Sequence, residues 1–71
     1  MKAEFATIRA NGEPRRIELP CSLADFLASA GWRATQVVVE FNGQVVPRNQ
    51  IGQVELRDGD QVEVIVPVAG G

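Results

Sequence analysis

"SLADFLASAG", residues 22–31, is the stretch that decides the architecture. Ser22 and Asp25 stand at the S-x-x-D spacing of a capping box, in which each satisfies a free backbone N–H at a helix start. Leu23, Phe26, Leu27 and Ala30 fall at i, i+3, i+4 and i+7 and form one apolar stripe. Gly31 suits the position just past the last turn, where a left-handed backbone is wanted. The spacing predicts a helix of about eight or nine residues, too short to persist alone in water. Such a helix must lie against something, and the sequence on either side supplies a sheet.

Upstream, Glu4 to Ala10 places Ala6, Ile8 and Ala10 on one side and Phe5, Thr7 and Arg9 on the other, the period of a strand. "NGEP" follows, with Asn11-Gly12 as a hairpin signal because both residues tolerate positive φ. Arg15 to Leu19 returns, pointing Ile17 and Leu19 one way and Arg16 and Glu18 the other, and Pro20 ends it. Downstream, "VVVEFNG" sets Val37, Val39 and Phe41 on one face and Val38, Glu40 and Asn42 on the other. Asn42-Gly43 is a second turn, and "QVV" is a short strand before Pro47. From Arg48 to Gln53 the pattern lapses, which predicts a loop with a tight turn; Val54 to Leu56 reads as a short edge strand. "DGD" at Asp58 to Asp60 is a third turn. The last strand runs from Gln61 to Val66, with Val62, Val64 and Val66 on one face and Gln61, Glu63 and Ile65 on the other.

Hairpin, helix, strand, short strands, strand is an α+β order. It predicts one main helix packed on one face of a mixed sheet of four to five strands, with the other face bare. That is the order of a β-grasp roll, the ubiquitin-like fold. The expected organisation is one domain over residues 1–66 and a flexible C-terminal tail over 67–71.

The composition narrows the chemistry. Seventy-one residues make one small domain, and 45% hydrophobic with 23% charged residues reads as globular. A lone cysteine closes no internal disulfide. The net charge of −2 and dispersed basic residues are no footprint for nucleic acid. No apolar run is long enough for a membrane span, and "MKAEFATIRA" lacks a signal peptide's apolar core. A cytoplasmic protein, monomeric when free, is the expectation.

The absence of histidine excludes Ser-His and Cys-His nucleophile pairs and histidine metal ligands. "NGQVVPRN" lacks the spacing and the Lys-Ser/Thr ending of a phosphate loop. Asp58 and Asp60 read either as an acid pair or calcium site, or as a polar turn; a calcium loop needs ligands spread over about twelve residues, which favours the turn. Cys21 stands at the predicted helix start, where the dipole is expected to lower its pKa. It reads as a reactive or persulfide-carrying thiol, or as a small loop residue without a role, and no base or second thiol accompanies it. Trp32 is expected to cap the edge of the core, and Arg48 and Arg57 to be solvated. No catalytic pair and no cofactor site remain, so the chain is not read as an enzyme.

The end, "VIVPVAGG", has two readings. Pro67 cannot continue a central ladder, so Val68 to Gly71 project as a terminus, which by default is idle. Alternatively the terminal carboxylate, ionised in the cell with a pKa near ~3.5, is the working group. It is a poor electrophile until adenylated. Glycines without Cβ thread a narrow channel and adopt unusual φ values, and one slim tail can visit several active sites.

The sequence resembles the ThiS family of small sulfur carriers, which supply sulfur for the thiazole ring of thiamine. The resemblance covers nearly the whole chain: "NGEP" with its return strand, "SLADFLASAGW", "VVVEFNGQVVPR", "LRDGDQVEVI" and the terminal Gly-Gly. It implies that an E1-like adenylyltransferase of the ThiF type, using ATP and Mg²⁺, adenylates Gly71. A persulfide from a cysteine desulfurase or other donor then displaces AMP, and thiazole synthase consumes the Gly71 thiocarboxylate. Gly70 and Ala69 would be slim linkers in the partner's channel, with Val68 and Pro67 at its mouth. The family commonly carries glycine where Ala69 stands, and "PVAGG" also resembles the molybdopterin-synthase small subunit. The alternatives are that subunit or another ubiquitin-like sulfur carrier, a ubiquitin-like modifier whose Gly71 would join a lysine by an amide bond, and a small structural or toxin-partner protein with an idle tail.

Overall fold

The structure, a computed structural model, describes residues 2–68. Strands β1 (Glu4–Ala10) and β2 (Glu13–Leu19) form the expected hairpin. Its turn is tighter than "NGEP" suggested. Asn11 and Gly12 alone make it, at φ 52° and 82°, and Glu13 and Pro14 already belong to β2. Two successive positive φ values define a type I′ turn, whose twist matches that of the flanking strands. In such a hairpin Ala10 and Glu13 exchange both backbone bonds, so Pro14 turns its missing donor outward from an edge strand, where it costs nothing.

Helix α1 (Leu23–Ser29) is opened by the expected capping box. The Asp25 N–H donates to Ser22 Oγ at 3.0 Å, and the Ser22 N–H donates back to the Asp25 carboxylate at 3.5 Å. At the other end the Gly31 N–H donates to the Ala28 carbonyl at 3.1 Å and the Trp32 N–H to the Leu27 carbonyl at 2.8 Å. With Gly31 at φ 86° this is a Schellman ending. It stops the helix at seven residues, so Ala30 becomes the exposed cap residue and the buried stripe is Leu23, Phe26 and Leu27 only. Trp32 packs half-buried against the core, as expected.

A short 3₁₀ helix (Ala34–Gln36) leads into β3 (Val38–Phe41), a second type I′ turn at Asn42 and Gly43, and β4 (Gln44–Val45). Arg48–Gln53, expected as a loop, is a 3₁₀ helix that buries Ile51 in the core. One apolar residue in a polar run leaves no periodicity to read. Val54 to Leu56, expected as an edge strand, does not join the sheet. Glu55 forms an isolated bridge with Ser22, flanked by Leu23 N–H to Val54 O at 2.8 Å and Leu56 N–H to Cys21 O at 2.9 Å. The segment pins the entry to α1 and sends Leu56 into the core.

Strand β5 (Gln61–Ile65) completes a five-stranded sheet in the order β2-β1-β5-β3-β4. β1 and β5 are parallel neighbours, and the other pairs are antiparallel. This mixed sheet with one main helix is the β-grasp arrangement. The core lies between them, where Ile8, Val39 and Val62 meet Leu23, Phe26 and Leu27. Val62 and Val64 face it as expected, but Val66 does not: β5 stops at Ile65 and Val66 is 55% exposed. Among the described residues no helix is long and apolar enough to cross a membrane.

Candidate functional site

The candidate site is the point where the chain leaves the sheet. Residues alternate along β5, so odd positions bond toward β3 and even positions toward β1. On the β3 side the last pair is Val38 with Ile65. The next would set residue 67 against residue 36. Pro67 has no N–H to give, and Gln36 is already turned into the 3₁₀ helix.

On the other flank β1 ends at Ala10, and the hairpin carries the chain away. Asn11 takes over there. Its N–H donates to the Val62 carbonyl at 2.9 Å, as the next ladder residue would. Its side chain then imitates a further peptide: the Val64 N–H donates to Asn11 Oδ1 at 2.7 Å, and Asn11 Nδ2 donates to the Val64 carbonyl at 3.4 Å. The hold on the chain therefore ends at Val64 on one flank and Ile65 on the other. Pro67 is exposed outside any strand and Val68 is 89% exposed. Gly71, Gly70 and Ala69 lie outside the described residues.

The start of β5 carries a matching device. Asn42, also at a positive φ of 50°, accepts the Gln61 N–H on Oδ1 at 2.8 Å and donates its own N–H to the Gln61 carbonyl at 2.8 Å. Its Nδ2 donates to the Asp60 carboxylate at 3.1 Å. The sequence marks both asparagines as turn residues and gives no sign of the second task. The only available hint is that asparagine stands where glycine or aspartate would turn equally well.

The bare sheet face beside the exit is apolar and acidic. Val38 and Ile65 are directly opposed and exposed, with Val45 exposed on the adjacent strand. Glu40 and Glu63 are opposed on the same face. At the far end of the sheet, Phe5 is exposed with the Arg16 guanidinium 4.3 Å from its ring centroid. An open hollow of about 700 Å³ also lies at that far end, among Glu4, Glu18, Leu19, Pro20, Glu55 and Leu56, away from the chain's exit. Among the described residues no set of three or more His, Cys, Asp or Glu is placed to hold a metal ion.

Asp58 and Asp60 are turn-formers. Asp58 accepts the Thr7 N–H at 2.8 Å, Asp60 accepts the Arg57 N–H at 2.7 Å, and Gly59 between them sits at φ 87°. Arg48 and Arg57 are exposed. At Cys21 the shift is opposite to the expected dipole effect and goes with the unreactive of the two readings. Burial raises its thiol pKa, and the nearby Asp25 and Glu55 carboxylates raise it further. The capping carboxylate and the Ser22–Glu55 bridge put negative charge where a bare helix start would have been positive.

Comparison with known proteins agrees with this architecture. The structure superposes on the crystal structure of the thiamine biosynthesis protein ThiS from Geobacter metallireducens with a TM-score of 0.78 and 28% identity, covering 92% of this chain and 99% of that one. The solution structure of a thiamine biosynthesis protein from the same organism gives a TM-score of 0.75 at 28% identity, covering 92% and 87%. In sequence, the chain is 39% identical over 64 residues to a thiazole synthase of Magnetococcus marinus, covering 90% of this chain. It is 33% identical over 61 residues to a thiazole synthase of Paramagnetospirillum magneticum, covering 86%. The chain spans only about a fifth of those relatives, 20% and 19% of their lengths. The family model of the ThiS family matches residues 8–71, from the middle of β1 through the last glycine, and the chain belongs to the ThiS family.

Proposed function

We propose that the chain is a sulfur carrier for formation of the thiazole ring of thiamine, with the carboxylate of Gly71 as its working group. The observation that carries the reading is the family match running through residue 71, combined with a fold that releases the chain after Ile65. The body ends, and a short segment of small residues continues beyond it. Relatives named for thiamine biosynthesis and thiazole synthase favour the thiazole pathway over the molybdopterin alternative.

The chemistry belongs to partners. An E1-like adenylyltransferase of the ThiF type binds ATP and Mg²⁺. A Gly71 carboxylate oxygen attacks the α-phosphorus, pyrophosphate leaves, and the acyl carbon becomes electrophilic. The terminal sulfur of a persulfide, supplied by a cysteine desulfurase or other donor, attacks that carbon and AMP leaves. A thiol then attacks the second sulfur of the acyl persulfide, forming a disulfide and leaving Gly71 as a thiocarboxylate. Thiazole synthase accepts that sulfur. A segment like this chain within proteins named thiazole synthase supports that partnership.

Gly70 and Ala69 present the narrowest profile for an enzyme channel, with Val68 and Pro67 at its mouth. The exposed Val38, Ile65 and Val45 provide an apolar landing beside the exit. The carrier contributes a reacting group and a recognisable body, not catalysis. ATP–pyrophosphate exchange with the E1-like partner tests the reading. The full chain supports exchange and a chain lacking Gly71 does not; equal exchange by both would overturn it.

A further inference from the structure

We infer that Asn11 is a positioning residue of the carrier, fixing the point from which the reactive tail leaves the sheet; this rests on the function proposed above. β1 is too short to hold the end of β5. Its ladder reaches Val62, and the hairpin then diverts the backbone. Without the Asn11 side chain, the Val64 N–H and carbonyl would face an empty flank, and β5 would be held near its end by β3 alone. With it, Val64 is bonded on that flank through both of its backbone groups. Among the residues suited to this turn only asparagine does this, because the same side chain must accept from one group and donate to the other. Aspartate has no donor, and glycine has neither partner.

Val64 is seven residues from Gly71. The anchor therefore sets the origin of the reach, and a partner that docks on the body meets the tail at one place. Loss of the anchor lets the strand end fray and start the tail from variable points. Docking is untouched, while the fraction of docked complexes with the carboxylate correctly delivered falls.

The molecule supplies its own control. Asn42 sits in the same turn type at nearly the same φ and bonds the same strand, but at Gln61, the end remote from the tail. Asn11→Gly and Asn42→Gly each remove the side-chain bonds while keeping a residue at ease at positive φ. The experiment measures urea stability, amide hydrogen exchange and the steady-state kinetics of adenylation by the E1-like partner for wild type, both glycine variants and Asn11→Asp. Both glycine variants are expected to lose similar stability. Only Asn11→Gly should both speed exchange of the Val64 amide and lower kcat, by about fivefold, the equivalent of one net hydrogen bond, with KM unchanged; Asn11→Asp, which keeps the acceptor of the Val64 N–H and loses the donor, should fall between it and wild type.

Equal kcat for Asn11→Gly and Asn42→Gly overturns the inference and leaves Asn11 a structural residue. A loss that appears only in KM overturns it as well. If wild type itself is never adenylated, the proposed function fails and this inference with it, whereas normal wild-type turnover with an indifferent Asn11 removes the inference alone.

Discussion

Replacing Ile51 tests how the small core is closed. The side chain is 3% exposed and comes from a 3₁₀ helix that lies outside the sheet and α1. Ile51→Val removes one buried methylene, about 1 kcal/mol. Ile51→Ala removes three carbons and leaves a cavity, about 3 kcal/mol. At roughly 0.05–0.15 kcal/mol per residue, a domain of 71 residues holds only about 4–11 kcal/mol in total. The alanine variant thus gives up more than a quarter of the stability. Urea denaturation reads this directly. With a slope near 1 kcal/mol/M for so small a chain, the midpoint should fall by about 1 M for valine and about 3 M for alanine, at unchanged slope. Gln50→Ala, exposed on the same 3₁₀ helix, should stay within about 0.5 kcal/mol of wild type. If Ile51→Ala moves the midpoint no more than Gln50→Ala does, the segment is not docked as described.

Other perturbations follow from single contacts. Ser22→Ala removes the acceptor of the Asp25 N–H and should cost about 1 kcal/mol in the same urea titration, with Ser22→Thr or Ser22→Asn retaining most of it. Glu63→Gln relieves the directly opposed Glu40 and should raise stability by a few tenths to about 1 kcal/mol, a gain that shrinks as salt is added. Cys21, with its thiol pKa raised, should alkylate more slowly than a free thiol at neutral pH. The folded state holds that proton more tightly than the unfolded state, so its stabilising share is full below the ordinary thiol value and is lost as pH climbs through the folded pKa. Cys21→Ser should flatten that alkaline decline in a urea series run across pH.

Much of this was legible in the residues. The strands, both Asn-Gly turns, the capping box and the Gly31 stop depend on neighbours in sequence, and each carries a local signature. What escaped depends on neighbours in space. Ile51 and Leu56 enter the core singly, from segments without a period. Glu13 and Pro14 join β2 because an edge strand has an outward row where a missing N–H costs nothing. Ala30 and Val66 sit in phase with buried faces, yet each stands where its element has already ended. The Cys21 thiol is raised first by burial and then by the Asp25 and Glu55 carboxylates, and neither the burial nor the bridge that brings Glu55 close is announced by spacing. At the candidate site, Pro67 was readable as a residue that cannot extend the ladder. Asn11 as the clamp on Val64 was not, because 53 residues separate the two.

The most direct test of the sulfur-carrier reading is the intact mass of the chain after incubation with ATP, Mg²⁺, a ThiF-type adenylyltransferase, a persulfide source and a thiol reductant. A sulfur carrier should yield a species heavier by sulfur minus oxygen, with the change localised to Gly71 by fragmentation. An unchanged mass, with no AMP released, would contradict it.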